Sequence, residues 1–292
     1  MLAYHAPVQI EPGYGFAMQH GRLIPESMPY HEAVGLPPLG CAPPRRGVQH
    51  EEAVISLREF GDTNYYHFFC DVIGKLAQLA PWSLDPAVPL LVSERLAAQP
   101  YFQAALRNGH LAGRRVLVQQ GWIEAGRAIF CKAMPHSKAS FELGAALLGA
   151  PPAAHGQHEK ILLTRRPARG RFLANGREVA ALCRAYGIRP VDTDDLSPGE
   201  QMALFAQAGL VVGIHGAGLT NLIFRRGAPA CLLELFPADS IPPHYFWLCH
   251  SYGYGYRALA GSPRTQHGAF TVSLAALRGA LKEVLGGQPG NW

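Results

Sequence analysis

At 292 residues the chain is long enough for one large domain or two modest ones, and 48% hydrophobic against 16% charged content excludes a disordered chain or a coiled coil. The net charge of +5 is mild and comes mostly as arginine pairs (45–46, 114–115, 165–166 and 225–226) rather than a long basic run. That argues against nucleic acid and for a small phosphorylated ligand.

In chain order, residues 1–50 are rich in proline and glycine, which predicts an irregular arm with at most one short hairpin. Regular structure begins with a strand at Ala53–Leu57 and a helix from about Thr63 to Leu79, stopped by Pro81. A strand Val88–Ser93, a helix Glu94–Arg107, a strand Arg115–Val118 and a candidate strand at 128–131 follow. The run GAPPAAHGQHE, 149–159, reads as a linker between an amino-terminal half, 1–150, and a carboxyl-terminal half, 151–292. Beyond it the pattern is regular: strand Lys160–Thr164, helix Gly176–Tyr186, strand Ile188–Val191, helix Pro198–Ala208 and strand Leu210–Gly213. A glycine turn with a helix ending near Phe224 comes next, then strand Cys231–Phe236, helix Pro243–Tyr252, strand Tyr256–Leu259 and helix Val272–Leu285. Strands alternating with helices predict an α/β fold with a parallel, doubly wound sheet. Two such halves would hold a ligand in the cleft between them.

No apolar run reaches the ~18 residues of a membrane-spanning helix, and no charged stretch followed by an apolar core opens the chain. Peripheral attachment to a membrane surface stays compatible with this. Six cysteines (41, 70, 131, 183, 231, 249) show no CxxC and lie mostly in apolar segments, so a reduced, cytoplasmic protein is expected.

The chemistry concentrates in VVGIHGAGLTNLIFRRGAPACLLELF, 211–236. A buried strand there runs into the small-residue turn His215-Gly216-Ala217-Gly218, whose amides and missing side chains suit a phosphate-sized anion. His215 opens that turn and its ring can donate to a phosphate. Asn221, in the following helix, suits either backbone or ligand. Glu234, near the carboxyl end of the next strand, suits ribose hydroxyls or a buried salt bridge. Upstream, Arg165 and Arg166 end a strand, with Arg169, Arg171 and Asn175 in the loop after it. Guanidinium groups there match a bidentate phosphate, and a solvated basic loop is the plainer alternative.

In GDTNYYHFFCDVIGKLAQL, Asn64, His67 and Asp71 fall on one face of an otherwise apolar helix. Three polar groups on a buried helix need either an internal network or a cleft. The cleft reading makes Asp71 a general base, or the residue that orients His67. A metal at His67 and Asp71 lacks further ligands nearby. Ser197, Pro198 and Glu200 read as a capping box, a structural use of an acidic segment that includes Asp194 and Asp195. There is no early GxGxxG and no Walker lysine, which argues against a dinucleotide enzyme or a P-loop.

HGAGLTN with LLELF after it resembles the signature of glycosyltransferase family 61. NYYHFFCDV, LLTRRPARGRFLAN and the Glu200-Gln201 block resemble its upstream motifs in the same order, so the resemblance covers about residues 50–240. It implies an inverting, metal-independent glycosyltransferase of GT-B architecture, with two Rossmann-like lobes facing a central cleft and no cofactor beyond a nucleotide-sugar substrate. A UDP-sugar is the implied donor and a glycan the acceptor. By the same resemblance Arg165, Arg166, Arg171, Asn175, His215, Gly216, Ala217, Gly218, Asn221 and Glu234 would bind the donor. Asn64, His67 and Asp71 would face the acceptor, with Asp71 as the first choice of base and His67 as the second. A short chain without an anchor looks more like a bacterial member that makes surface or capsular polysaccharide, or one module of a longer polypeptide. A non-catalytic nucleotide-sugar or glycan-binding module is the competing reading.

Overall fold

The computed structural model describes residues 1–286 apart from 29–45, 60, 80, 83–84, 108–110, 112, 133–136 and 151–158, and apart from the Arg169 side chain. The chain is mixed α/β and divides into two compact units, Met1–Gly149 and Ala150–Trp292. Most of the linker expected at 149–159 lies outside the described residues.

The first unit carries one mixed sheet. Four short strands, β1 (Leu2–Tyr4), β2 (Val8–Ile10), β3 (Ala17–Gln19) and β4 (Arg22–Leu23), precede four longer ones. These are β5 (Gln49–Ser56), β6 (Leu90–Ser93), β7 (Val116–Gln119) and β8 (Ile123–Phe130). The order is β4-β3-β2-β8-β5-β6-β7, with β1 also on β8. The pairs β8–β5, β5–β6 and β6–β7 are parallel, and β1 to β4 join antiparallel.

The described part of the amino-terminal arm, residues 1–28 and 46–50, is therefore more ordered than its composition predicts. Strands of two or three residues are too short to show a period in sequence. Their inward residues Val8, Ile10 and Ala17 nonetheless join Val54, Leu91, Leu117 and Ile123 in one core.

The helix expected from Thr63 to Leu79 forms in three parts. Asn64 caps it, its Oδ1 accepting from the Tyr66 amide at 2.9 Å. One α-turn, α1 (Tyr65–His67), passes into a π-helical stretch, Phe68–Val72, and then α2 (Ile73–Leu79). The expected helix Glu94–Arg107 is two, α3 (Glu94–Ala97) and α4 (Pro100–Arg107), because Pro100 cannot continue a helical hydrogen-bond ladder. A further helix, α5 (Lys138–Leu147), was not legible in the sequence. It lies close on the π-helical segment through Gly144, where an added Cβ would come within 2.4 Å of the Phe69 ring. Phe68, Phe69 and Phe141 are sealed in this layer, each such burial contributing about 1.5–3 kcal/mol.

The second unit holds β9 (Glu159–Leu163), β10 (Phe172–Leu173), α6 (Gly176–Ala185), β11 (Arg189–Val191), α7 (Pro198–Gln207) and β12 (Ala208–Ile214). After these come β13 (Cys231–Phe236), α8 (His244–Tyr252), β14 (Gly255–Ala260), β15 (Ala269–Phe270) and α9 (Leu274–Gly286). Five strands form a sheet in the order β11-β9-β12-β13-β14 with every pair parallel. Val212, Ile214, Leu233 and Leu235 share a core with Val179 and Cys183 of α6 and Leu277, Leu281 and Val284 of α9. By the two-residue period of a strand, Gly213, Glu234 and Phe236 face the other side. The capping box at the start of α7 forms, with Ser197 and Glu200 reciprocally bonded. The segment after the glycine turn, Ala217–Arg225, is a 3₁₀-helix rather than an α-helix.

Candidate functional site

Counted along the chain, the five parallel strands lie in the order second, first, third, fourth, fifth. In that arrangement the crossovers leave in opposite directions between the first strand and the third, here β9 and β12. The crevice at their carboxyl ends is where such sheets bind ligands. β9 ends at Leu163 and leads into Thr164-Arg165-Arg166; β12 ends at Ile214 and leads into His215-Gly216. The two motifs singled out in sequence thus meet at one switch point.

Arg165 spans it, its Nη1 donating to the His215 carbonyl at 3.2 Å. The guanidinium lies directly over Gly216, where a Cβ would come within 2.3 Å of Nη1. A side chain at this position would have to move that guanidinium; the backbone φ of 169° is extended and would admit any residue. The 3₁₀-helix starts at Ala217, so its first amides open at this point. Among the described residues, Gly218 has only the Thr193 hydroxyl near its missing side chain, at 3.9 Å.

Arg166 turns the other way. It is half-exposed and pairs with Asp192 at 2.6 Å and with Asp195. These carboxylates hold its pKa above the ordinary arginine range. Arg171 is partly buried and makes no hydrogen bond among the described residues. Burial lowers its pKa, and the neighbouring Arg264 lowers it further, while Tyr245 and Glu234 act in the opposite sense. A desolvated guanidinium of this kind is a ready partner for an anion.

The sheet register builds the centre of the site. Glu234 pairs in register with Gly213 of β12 and Ala258 of β14, both with little or no side chain. Its diagonal neighbours on the same face are therefore His215, two residues beyond Gly213, and Tyr256, two before Ala258. The carboxyl bridges them: Oε1 is 2.6 Å from His215 Nδ1, and Oε2 accepts the Tyr256 hydroxyl at 2.7 Å. Phe236 stacks on the His215 ring at 5.3 Å, and Tyr245 and His244 of α8 close round it. Glu234 is fully buried and His215 nearly so. Burial pushes Glu234 up to about 8, against the Tyr256 hydrogen bond and the Arg171 charge. Burial also pushes His215 down to about 3, helped by Arg171 and Arg165.

Two of the expected donor residues have structural employment. Asn175 exchanges hydrogen bonds with the backbone of Val272, at 2.8 and 3.2 Å. Asn221 is buried and donates to Gln201, which in turn donates to the carbonyls of Thr193 and Leu196. Tyr256 was not anticipated; a tyrosine next to a strand start carries no signal until register sets it beside Glu234.

In the first unit, His67 Nδ1 and Asp71 Oδ2 are 2.7 Å apart, across the passage from α1 into the π-helical segment. Asn64, the third member of the expected face, is engaged as the cap. The His67 ring lies against Gly61, where a Cβ would come within 2.7 Å. Four charged groups that sequence reading passed over surround the loop after β5. Lys75 lies 3.0 Å from Glu59 and donates to the Arg58 carbonyl at 2.6 Å. Arg58 bonds Gln119 and the carbonyls of Pro12 and Gly13. Asp62 is buried with Oδ2 unpartnered, and desolvation raises its pKa. The available signal was LREFGD, three charges straight after a buried strand, and a lysine inside an apolar helix.

Among the described residues no group of three or more histidine, cysteine, aspartate or glutamate side chains could hold a metal ion, and no helix is long and apolar enough to cross a membrane. The family model for glycosyltransferase 61 matches residues 65–232, more than half of the chain. The match takes in His67, Asp71, Arg165 and His215; Glu234 lies two residues beyond it. No curated protein matches the chain.

Proposed function

The chain belongs to glycosyltransferase family 61, and on that premise we propose that it transfers a sugar from a nucleotide-sugar donor whose diphosphate sits at the β9/β12 switch point. The observation that carries this is Arg165 reaching across to the His215 carbonyl over a glycine that leaves its guanidinium room. Arg171 and the first amides of the 3₁₀-helix add positive potential at the same point.

The reaction follows from what such a site offers. An acceptor hydroxyl attacks the anomeric carbon as the bond to the diphosphate oxygen breaks, inverting the configuration. The departing diphosphate gains charge in the transition state, and fixed cations and amides stabilise it without reorganising. The attacking hydroxyl gives up its proton, for which we assign the His67–Asp71 pair in the first unit. His67 is the more exposed partner, and one Asp71 oxygen is engaged on its Nδ1. This makes His67 the base and Asp71 the group that orients it. The GT-B architecture, a UDP-sugar donor, a glycan acceptor, charge stabilisation without a metal and a role in surface polysaccharide synthesis belong to the same proposal. Buried cysteines outside any disulfide at Cys131, Cys183, Cys231 and Cys249 suit the cytoplasm.

Calorimetric titration with UDP and GDP, with and without EDTA, tests it. Binding that survives chelation and weakens about 10- to 100-fold in Arg165→Ala is expected, the loss of one charge-assisted contact. Binding that needs a divalent ion, or is indifferent to Arg165, would overturn the assignment.

A further inference from the structure

Both oxygens of Glu234 are already engaged within the protein. One is held by His215 and the other by Tyr256, and the carboxyl is sealed from solvent. Its position between two small in-register neighbours, Gly213 and Ala258, gives it one thing to do: reach diagonally to the residues on either side. His215 Nε2, by contrast, has no hydrogen-bond partner among the described residues.

We infer that Glu234 and Tyr256 are positioning residues for His215, and that the carboxyl on Nδ1 decides whether Nε2 presents a proton or a lone pair to an anion at the turn. The identity of that anion rests on the donor reading above; the coupling between the three side chains does not. A neutral imidazole carries one ring proton. When the carboxyl is protonated it donates to Nδ1, and the ring proton sits on Nε2, a donor. When the carboxyl ionises, its proton passes to Nδ1 and the Nε2 proton leaves to solvent. Nε2 is then an acceptor and repels a phosphate oxygen. Burial favours the first form at neutral pH, since it holds Glu234 up to about 8 and His215 down to about 3.

The groups facing the pair are known from each element around it. Tyr256 on β14 donates to Glu234, and Arg171 lies within electrostatic reach of both Glu234 and His215. Arg165 acts on His215 from the end of β9, and Arg264 acts on Arg171. From α8, His244 and Tyr245 lie against the ring, and Cys249, its thiol pushed well up by burial, feels the Glu234 charge. Removing the Tyr256 hydroxyl takes away a hydrogen bond that favours the ionised carboxylate, so ionisation moves to higher pH.

The test is ¹⁵N-histidine NMR of the whole chain from about pH 7 to about pH 9, the His215 signals being assigned by their loss in His215→Asn. The ring should be protonated on Nε2 at the lower end and on Nδ1 at the upper. Tyr256→Phe should move the conversion to higher pH, and in Glu234→Gln it should disappear, because an amide that keeps its oxygen on the Tyr256 hydroxyl and turns its NH₂ to Nδ1 has no proton to lose over this range. UDP affinity of the wild type should fall about tenfold per pH unit above the same midpoint, a slope of one linked proton, and lose that slope in Glu234→Gln. An imidazolium in the neutral range, or a tautomer indifferent to pH or to Tyr256→Phe, would overturn the inference. If the conversion occurs as described but UDP and GDP bind at no pH, the coupling stands and the donor reading fails.

Discussion

His67–Asp71 and His215–Glu234 are histidine–carboxylate pairs of nearly equal length, 2.7 and 2.6 Å, built in opposite ways. The first lies within one helical segment, four residues apart, with side chains 20% and 9% exposed. The second joins the turn that leaves one strand to the next strand, nineteen residues apart, with side chains 7% and 0% exposed. A helix brings such partners together by its own periodicity and leaves one edge toward solvent. A sheet brings them together only through register, and burial follows because a parallel sheet is covered on both faces. The same two functional groups therefore acquire different tasks. In the proposed reading the helical pair, with one edge toward solvent, is assigned the acceptor's proton, and the sheet pair, driven by burial toward its uncharged form, is assigned the setting of the His215 tautomer.

If this division is right, substitutions should separate the two pairs by what they change. The largest effect belongs to the helical pair. His67→Ala should lower turnover by about 10²- to 10⁴-fold, the usual contribution of a general base, with UDP affinity unchanged. Turnover that survives would dissolve the contrast. Gly216→Ala is the sharper probe of the sheet side. Its backbone is compatible with alanine, so the fold should persist, but the new Cβ displaces the Arg165 guanidinium. A loss of roughly 10- to 100-fold in diphosphate affinity is expected, the scale of a charged hydrogen bond. A melting temperature that drops along with affinity would mean that the turn serves the fold instead.

The smallest effect is in stability against pH. The folded state raises Glu234 from 4.5 to about 8, so the stability it contributes is complete below 4.5 and is lost as pH rises toward 8. It lowers His215 from 6.5 to about 3, so that cost appears below 6.5 and grows as pH falls toward 3. Between 4.5 and 6.5 the two slopes oppose each other; from 6.5 to 8 only the loss from Glu234 remains. Thermal melts should show stability falling over that last interval, and Glu234→Gln should flatten it. An equal slope in both proteins would remove the sealed pair as its source.

The acidic segment at 192–200 shows how sequence signals divide. Ser197, Pro198 and Glu200 announce a helix cap through spacing alone, and the cap forms. Nothing in the letters Asp192 and Asp195 says that they engage Arg166, which leaves Arg165 as the member of the pair at the turn. Adjacent arginines look equivalent in sequence, and the strand end sends them to opposite sides.

The sequence by itself determined the parallel strands and helices of the second unit, the small-residue turn at 215–218, the His67–Asp71 spacing and the family. All of these depend on periodicity or on neighbours along the chain. Tertiary structure alone decided the strand order that creates the switch point, the choice of Arg165 over Arg166, the cluster of Arg58, Glu59, Asp62 and Lys75, and the union of His215, Glu234 and Tyr256. Each of these joins residues distant in sequence, and register and burial are set by pairing across strands, which no local pattern encodes.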